Sequence, residues 1–173
     1  MNTLSPLPAV PDDGAFAVSG PEAVTAMRLQ LLVATRYKLA FHLPILPSSI
    51  LSSSDELAEL RRIAIAGRGA EIRIVLADPA AAMRAGHRLL DLAQRLPSAL
   101  QIRALAEEDQ GAQTDASSWL LNDTGGYLFL PDAERWEGRA ALKDGPGQAP
   151  LLLQFEQIWQ RALPATQLQA LGL

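Results

Sequence analysis

The chain has 173 residues, no cysteine, and 15 Lys+Arg against 19 Asp+Glu, a formal charge of −4. That length suits one domain with its own hydrophobic core, and the missing cysteines exclude disulfides, thiolate metal sites and cysteine nucleophiles. A net negative charge gives no general attraction to phosphate backbones, so nucleic acid is not an expected partner.

Residues 1–18, MNTLSPLPAVPDDGAFAV, are rich in proline and small side chains and read as a flexible leader. The first twenty residues hold no Lys or Arg, so a secretory signal is not expected. No apolar run approaches the ~18 residues of a membrane span, and a cytoplasmic location without membrane contact is the expectation.

The expected domain runs over residues 19–163. Ser19-Gly20-Pro21-Glu22 has the form of a capping box, and Val24, Met27 and Leu31 continue a helix over about 21–35. In YKLAFHLPIL, Leu39, Phe41, Leu43 and Ile45 alternate as in a strand. Pro44 belongs at its end or at a sheet edge. A second capping box, Ser53 to Glu56, opens a helix to about Ala66, with Leu57, Leu60 and Ala64 inward and Glu56, Glu59 and Arg62 outward. Gly67 and Gly69 then stop it. GRGA at 67–70 follows a helix and precedes a strand, the reverse of a phosphate-binding loop.

EIRIVLAD reads as a buried strand, and Asp78-Pro79 opens a third helix to Leu96. Its apolar stripe is Ala82, Ala85, Leu89, Leu92 and Leu96, and the opposite stripe is Arg84, Arg88, Asp91 and Arg95, with His87 on the flank. A strand (LQIRAL), an acidic loop (EEDQGAQTDA) and a hairpin (SSWLLNDTGGYLFLP) come next. Residues 132–149 show no period, 150–163 read as a helix presenting Leu152, Phe155, Trp159 and Ala162, and 164–173 read as a tail. The succession implies an α/β fold, a mixed, mostly parallel sheet sandwiched by helices.

Among the chemically capable residues, Arg84, Arg88 and Arg103, with His87 and His42, are candidates for holding a phosphate or carboxylate. The alternative is a solvated helix face with exposed ion pairs. Neither histidine has the spacing of a metal site, no G-x-S-x-G elbow exists, and no cofactor or metal is implied.

The element order, together with GHRLLDLAQRLPSALQIR, SSWLLND and LLLQFEQIWQRA, resembles one half of the phospholipase D superfamily fold. The chain looks like a bacterial domain of unknown function found alone or behind acetyltransferase domains. The resemblance implies His-x-Lys-x4-Asp on the strand entering the hairpin. With Asp123 at the Asp position, Ala116 replaces the nucleophilic His and Ser118 the phosphate-holding Lys. The expected function is then that of a non-catalytic binding or regulatory module for a small anionic ligand. Pairing of two copies through the hairpin side, or partnership with an acetyltransferase, would fit it. The competing expectations are an interaction domain and an enzyme using His42 or His87 with Asp91 or Asp123.

Overall fold

The computed structural model describes residues 13–110 and 116–165. Most of the expected leader and tail, and the middle of the acidic loop, lie outside the described residues. The chain order is β1 (Phe16–Ser19), α1 (Pro21–Ala34), β2 (Lys38–Leu43), α2 (Ser54–Ala64), β3 (Glu71–Leu76), α3 (Pro79–Arg84) and α4 (Arg88–Arg95). Then come β4 (Leu100–Ala104), α5 (Glu107–Gln110), β5 (Ser118–Asn122), β6 (Tyr127–Leu130), β7 (Glu137–Ala141), α6 (Gly145–Arg161) and β8 (Leu163–Pro164).

The strands form one sheet in the order β1-β7-β6-β5-β2-β3-β4-β8. Only β2–β3 and β3–β4 are parallel, because those neighbours alone are joined through crossover helices. The pairs β2–β5, β5–β6, β6–β7, β1–β7 and β4–β8 are antiparallel. The sheet is therefore mixed and mostly antiparallel, which corrects the mostly parallel expectation. Two elements at the β1 end of the sheet account for much of the difference. Phe16–Ser19, read as leader, pairs with Glu137–Ala141, read as irregular. Both are short, four and five residues, so their alternation is faint in the sequence.

β2 is buried at every position after Lys38, as a central strand should be. Pro44 follows its last residue, where a missing amide proton costs no ladder bond. Leu39, Phe41, Ile72, Ile74 and Leu120 pack toward α1, α2 and α4 in one core layer. Ala40, Val75, Trp119 and Leu121 pack with Phe155 and Trp159 of α6 in the other. Leu151 and Ile158 complete the buried face of α6, whereas Leu152 is partly exposed.

The helices depart from the sequence reading at two points and match it at a third. α1 starts from Gly20, whose φ of 96° suits glycine, and no side chain caps it, so the Ser19–Glu22 box does not form. The Ser53 cap does form: its hydroxyl accepts from the Glu56 N–H at 3.2 Å. The helix expected over 78–96 is two helices, broken at Gly86 (φ 68°) with His87 capping the second.

Glu56 is the largest reversal. Expected outward, it is 2% exposed and accepts from Arg28 Nε at 2.7 Å, with Arg28 itself 5% exposed. This ion pair joins α1 to α2 inside the molecule. Arg62, also expected to serve only the solvent side, reaches back to the carbonyls of Leu32 (2.9 Å) and Thr35 (3.0 Å), where α1 leaves its last acceptors open.

Removing one member of a buried pair strands the other charge. Glu56→Ala is expected to lower unfolding free energy by about 3–5 kcal/mol in urea titrations, while Arg28→Met/Glu56→Met restores most of it. A single-variant loss no larger than that of an exposed pair would contradict this role.

Candidate functional site

The hairpin divides its polar work between two adjacent residues. Asn122 makes the turn: its Oδ1 accepts from the N–H groups of Thr124 (3.1 Å) and Gly126 (2.7 Å), and its Nδ2 donates to the Leu31 carbonyl. A Cβ on Gly126 would lie 2.6 Å from the Leu31 side chain, so that close approach requires glycine. Asp123 does something else. Its carboxylate accepts from the backbone N–H groups of Arg36 (2.9 Å), Tyr37 (2.7 Å) and Lys38 (3.1 Å), clasping the entry to β2. Partial burial pushes its pKa up, but those donors outweigh burial and hold the carboxyl below its ordinary value.

Ala116 is exposed before β5, and its carbonyl accepts from the Ala133 N–H. Ser118 begins β5, beside Leu130 in the register. Asp123 lies at the far end of β5 from both. The three positions assigned to the degenerate motif do not form one cluster.

The histidines are separate. His42, on β2, is 2% exposed and stacks on Trp119 with ring centroids 4.9 Å apart. Its Nδ1 donates to the Ser117 carbonyl at 2.9 Å, which leaves the proton on Nδ1 in the neutral ring. Burial drives its pKa from 6.5 to about 4, against the opposing pull of the Ser117 carbonyl and of Asp109. His87 belongs to α4: its Nδ1 accepts from the Leu89 N–H at 3.1 Å, so Nε2 carries the proton toward the Pro47 carbonyl, also 3.1 Å away. Neither ring hydrogen-bonds to a carboxylate among the described residues, and no group of three or more His, Asp or Glu side chains there is arranged to hold a metal.

The arginines also fail to converge as expected. Arg103 lies on the α6 face of the sheet, 4.1 Å from the Trp159 ring centroid, and donates to the Trp159 carbonyl. Beside it Arg73 makes a bidentate pair with Glu156 (2.9 and 2.6 Å). Both pin α6 to the sheet. That Arg73 hydrogen bond, set against partial burial, leaves the Glu156 carboxyl below its ordinary pKa. Arg84 is exposed on α3, across the Gly86 break from Arg88.

Among the expected ligands, Arg88 joins a concave site. It lines a groove of about 280 Å³ between α2 and α4, together with Arg61, Arg95, Ser54 and Asp91. Arg95 is held by Asp91 at 3.2 Å, both exposed. Arg88 donates only to the Ser52 carbonyl, and Arg61 has no ion-pair partner among the described residues. Three guanidinium groups against one carboxylate leave the groove positive on an acidic chain. Arg61 was missed because it comes from another helix, and spacing along one helix cannot reveal a pair across two.

Fold and groove together define an α/β domain with a mixed, two-sided sheet and an arginine-lined surface. The chain belongs to the DUF7931 family, a domain of unknown function, which matches residues 20–171. No curated protein matches it at a significant level. Among solved structures it is similar to TrmBL2, an archaeal chromatin protein described as showing a novel mode of DNA binding. The identity is 17% and the TM-score 0.60, over 91% of this chain and 56% of that one. This likeness is one of fold, and the chain spans little more than half of that relative. It nevertheless corrects the expectation that nucleic acid is not a partner: this fold occurs in a protein described as binding DNA, so the net charge of the whole chain does not decide the matter. No helix among the described residues is long and apolar enough to cross a membrane.

Burial of neutral His42 makes stability depend on pH. Between pH 6.5 and about 4 the unfolded chain binds the extra proton, so stability is full above 6.5 and falls as pH drops through that window. The slope approaches about 1.4 kcal/mol per pH unit. Urea titrations between pH 6.5 and 5 should show this slope in the wild type and a flatter one in His42→Phe. Identical slopes would contradict it. The lowered carboxyls of Asp123 and Glu156 lose their contribution only at lower pH.

Proposed function

We propose that the chain is a non-catalytic binding domain of phospholipase D-like build, whose groove between α2 and α4 holds a phosphate- or carboxylate-bearing ligand. The observation that carries this reading is the pairing of Arg61 and Arg88 across one groove, neither of them neutralised by a carboxylate. Guanidinium groups placed on two walls suit the separate oxygens of one anion. The phospholipase D-like reading is supported by α2 joining β2 to β3 and by β5 returning antiparallel beside β2. Ala116 and Ser118 then stand where a phosphodiesterase needs its nucleophile and its phosphate-holding cation. An acid–base enzyme built on His42 or His87 would need a carboxylate partner, and both rings bond to backbone groups instead.

The likeness to TrmBL2 favours a second reading, in which the anion is the phosphate backbone of DNA. Calorimetric titration separates the two. Inorganic phosphate should bind the wild type, with Arg61→Ala and Arg88→Ala each weakening it about tenfold, the worth of a charge-assisted hydrogen bond. Equal binding by all three proteins would refute the groove. A DNA duplex binding far more tightly than phosphate, with affinity falling steeply as salt rises, would favour the second reading.

A further inference from the structure

Arg28 carries five N–H donors. Its Nε donates to Glu56, but the four N–H groups on Nη1 and Nη2 meet no acceptor among the described residues, although the side chain is only 6% exposed. Buried charged donors without partners are rare, and leaving them unmet is costly. Arg28 lines a cavity of about 30 Å³ between α1 and the sheet, walled by Phe41, Leu43, Leu128 and Trp136. Ser118, from β5, lines the same cavity, and its hydroxyl likewise has no hydrogen-bond partner among the described residues. Ile45 also lines the cavity and is 49% exposed, so an apolar side chain marks its mouth.

The charges say what kind of occupant fits. Arg28 and Glu56, 2.7 Å apart, already neutralise each other. An added carboxylate would leave one negative charge uncompensated in a buried, mostly apolar space. A neutral oxygen acceptor would satisfy the Nη donors without that cost. One water needs roughly 10–15 Å³ of such space, so the cavity has room for a carbonyl group with a short branch. We propose that this cavity binds the carbonyl end of a small neutral acyl or amide compound. The carbonyl oxygen accepts from Arg28, Ser118 donates to or accepts from the same group, and the hydrocarbon part runs out past Ile45. This site shares no lining residue with the α2–α4 groove and does not depend on the groove binding an anion.

The test is two-dimensional 1H–15N NMR of the full chain, following the Trp136 indole and Arg28 Nε–H signals during titration with isobutyramide and, separately, with isobutyrate. The expected result is saturable shifts with isobutyramide and at least about tenfold weaker binding of the charged isostere. Ser118→Leu, which fills the cavity and leaves the Arg28–Glu56 pair in place, should abolish the shifts, whereas Arg88→Ala should preserve them. Unsaturable shifts with isobutyramide, or isobutyrate binding as tightly, would overturn the proposal, the Nη donors then being served by water alone. The comparison of the two probes on the wild type decides even where Ser118→Leu fails to fold.

Discussion

The ion pair between Arg28 and Glu56 fixes how α1 meets α2, and both candidate sites depend on where α2 then sits. On one side of α2, Glu56 holds Arg28 beside the cavity that Ser118 and Trp136 share. On the other, Ser54 and Arg61 face α4 across the positive groove. A buried pair of this kind adds little net stability over an apolar contact. It does, however, punish any other packing of the two helices, because each alternative leaves a charge without a partner. Arg62 adds a second tie from α2, to the carbonyls that end α1. Leu60 and Ile63, both fully buried, anchor α2 in the core, and these polar contacts tie it to α1.

The other organising contact is at the hairpin. Asn122 closes the turn and reaches Leu31, while Asp123 gathers three N–H groups at the start of β2. Together they lock the β5–β6 hairpin to both α1 and β2, and so place the antiparallel half of the sheet against the parallel half. The face of β5 that carries Ser118 and Leu120 turns toward α1, and the face that carries Trp119 and Leu121 turns toward α6. Alternation along five residues therefore supplies one wall of the Arg28 cavity and one wall of an aromatic core. Phe155, Trp159, Arg73 and Arg103 complete that second wall through stacking and cation–π contacts.

Sequence reasoning recovers what local chemistry encodes. The helices α1, α2 and α6, the strands β2 to β6 and the Ser53 cap are legible in periodicity, caps and turn residues. It fails where tertiary contact overrides the local signal. Glu56 looks like a solvated helix residue because nothing nearby announces Arg28, 28 residues earlier in the chain. The arginine stripe looks continuous over Arg84 to Arg95 because an isolated Gly86 inside a helical pattern does not declare its positive φ. The strands β1 and β7, four and five residues long, are too short to stand out without each other. Asp123 illustrates the subtler case: Asn-Asp next to Gly-Gly reads as turn chemistry, and one of the two residues instead serves a distant backbone.

On the proposed reading the domain recognises an anion rather than transforming a substrate. The buried histidines bond to backbone groups and to no carboxylate among the described residues. Arg61 and Arg88, without an ion-pair partner among the described residues, face each other from α2 and α4. The most direct test of the central claim is a crystal structure grown with an excess of inorganic phosphate. The predicted result is an anion in the α2–α4 groove contacted by both Arg61 and Arg88. Density for the anion elsewhere on the molecule, with that groove holding only water, would contradict it.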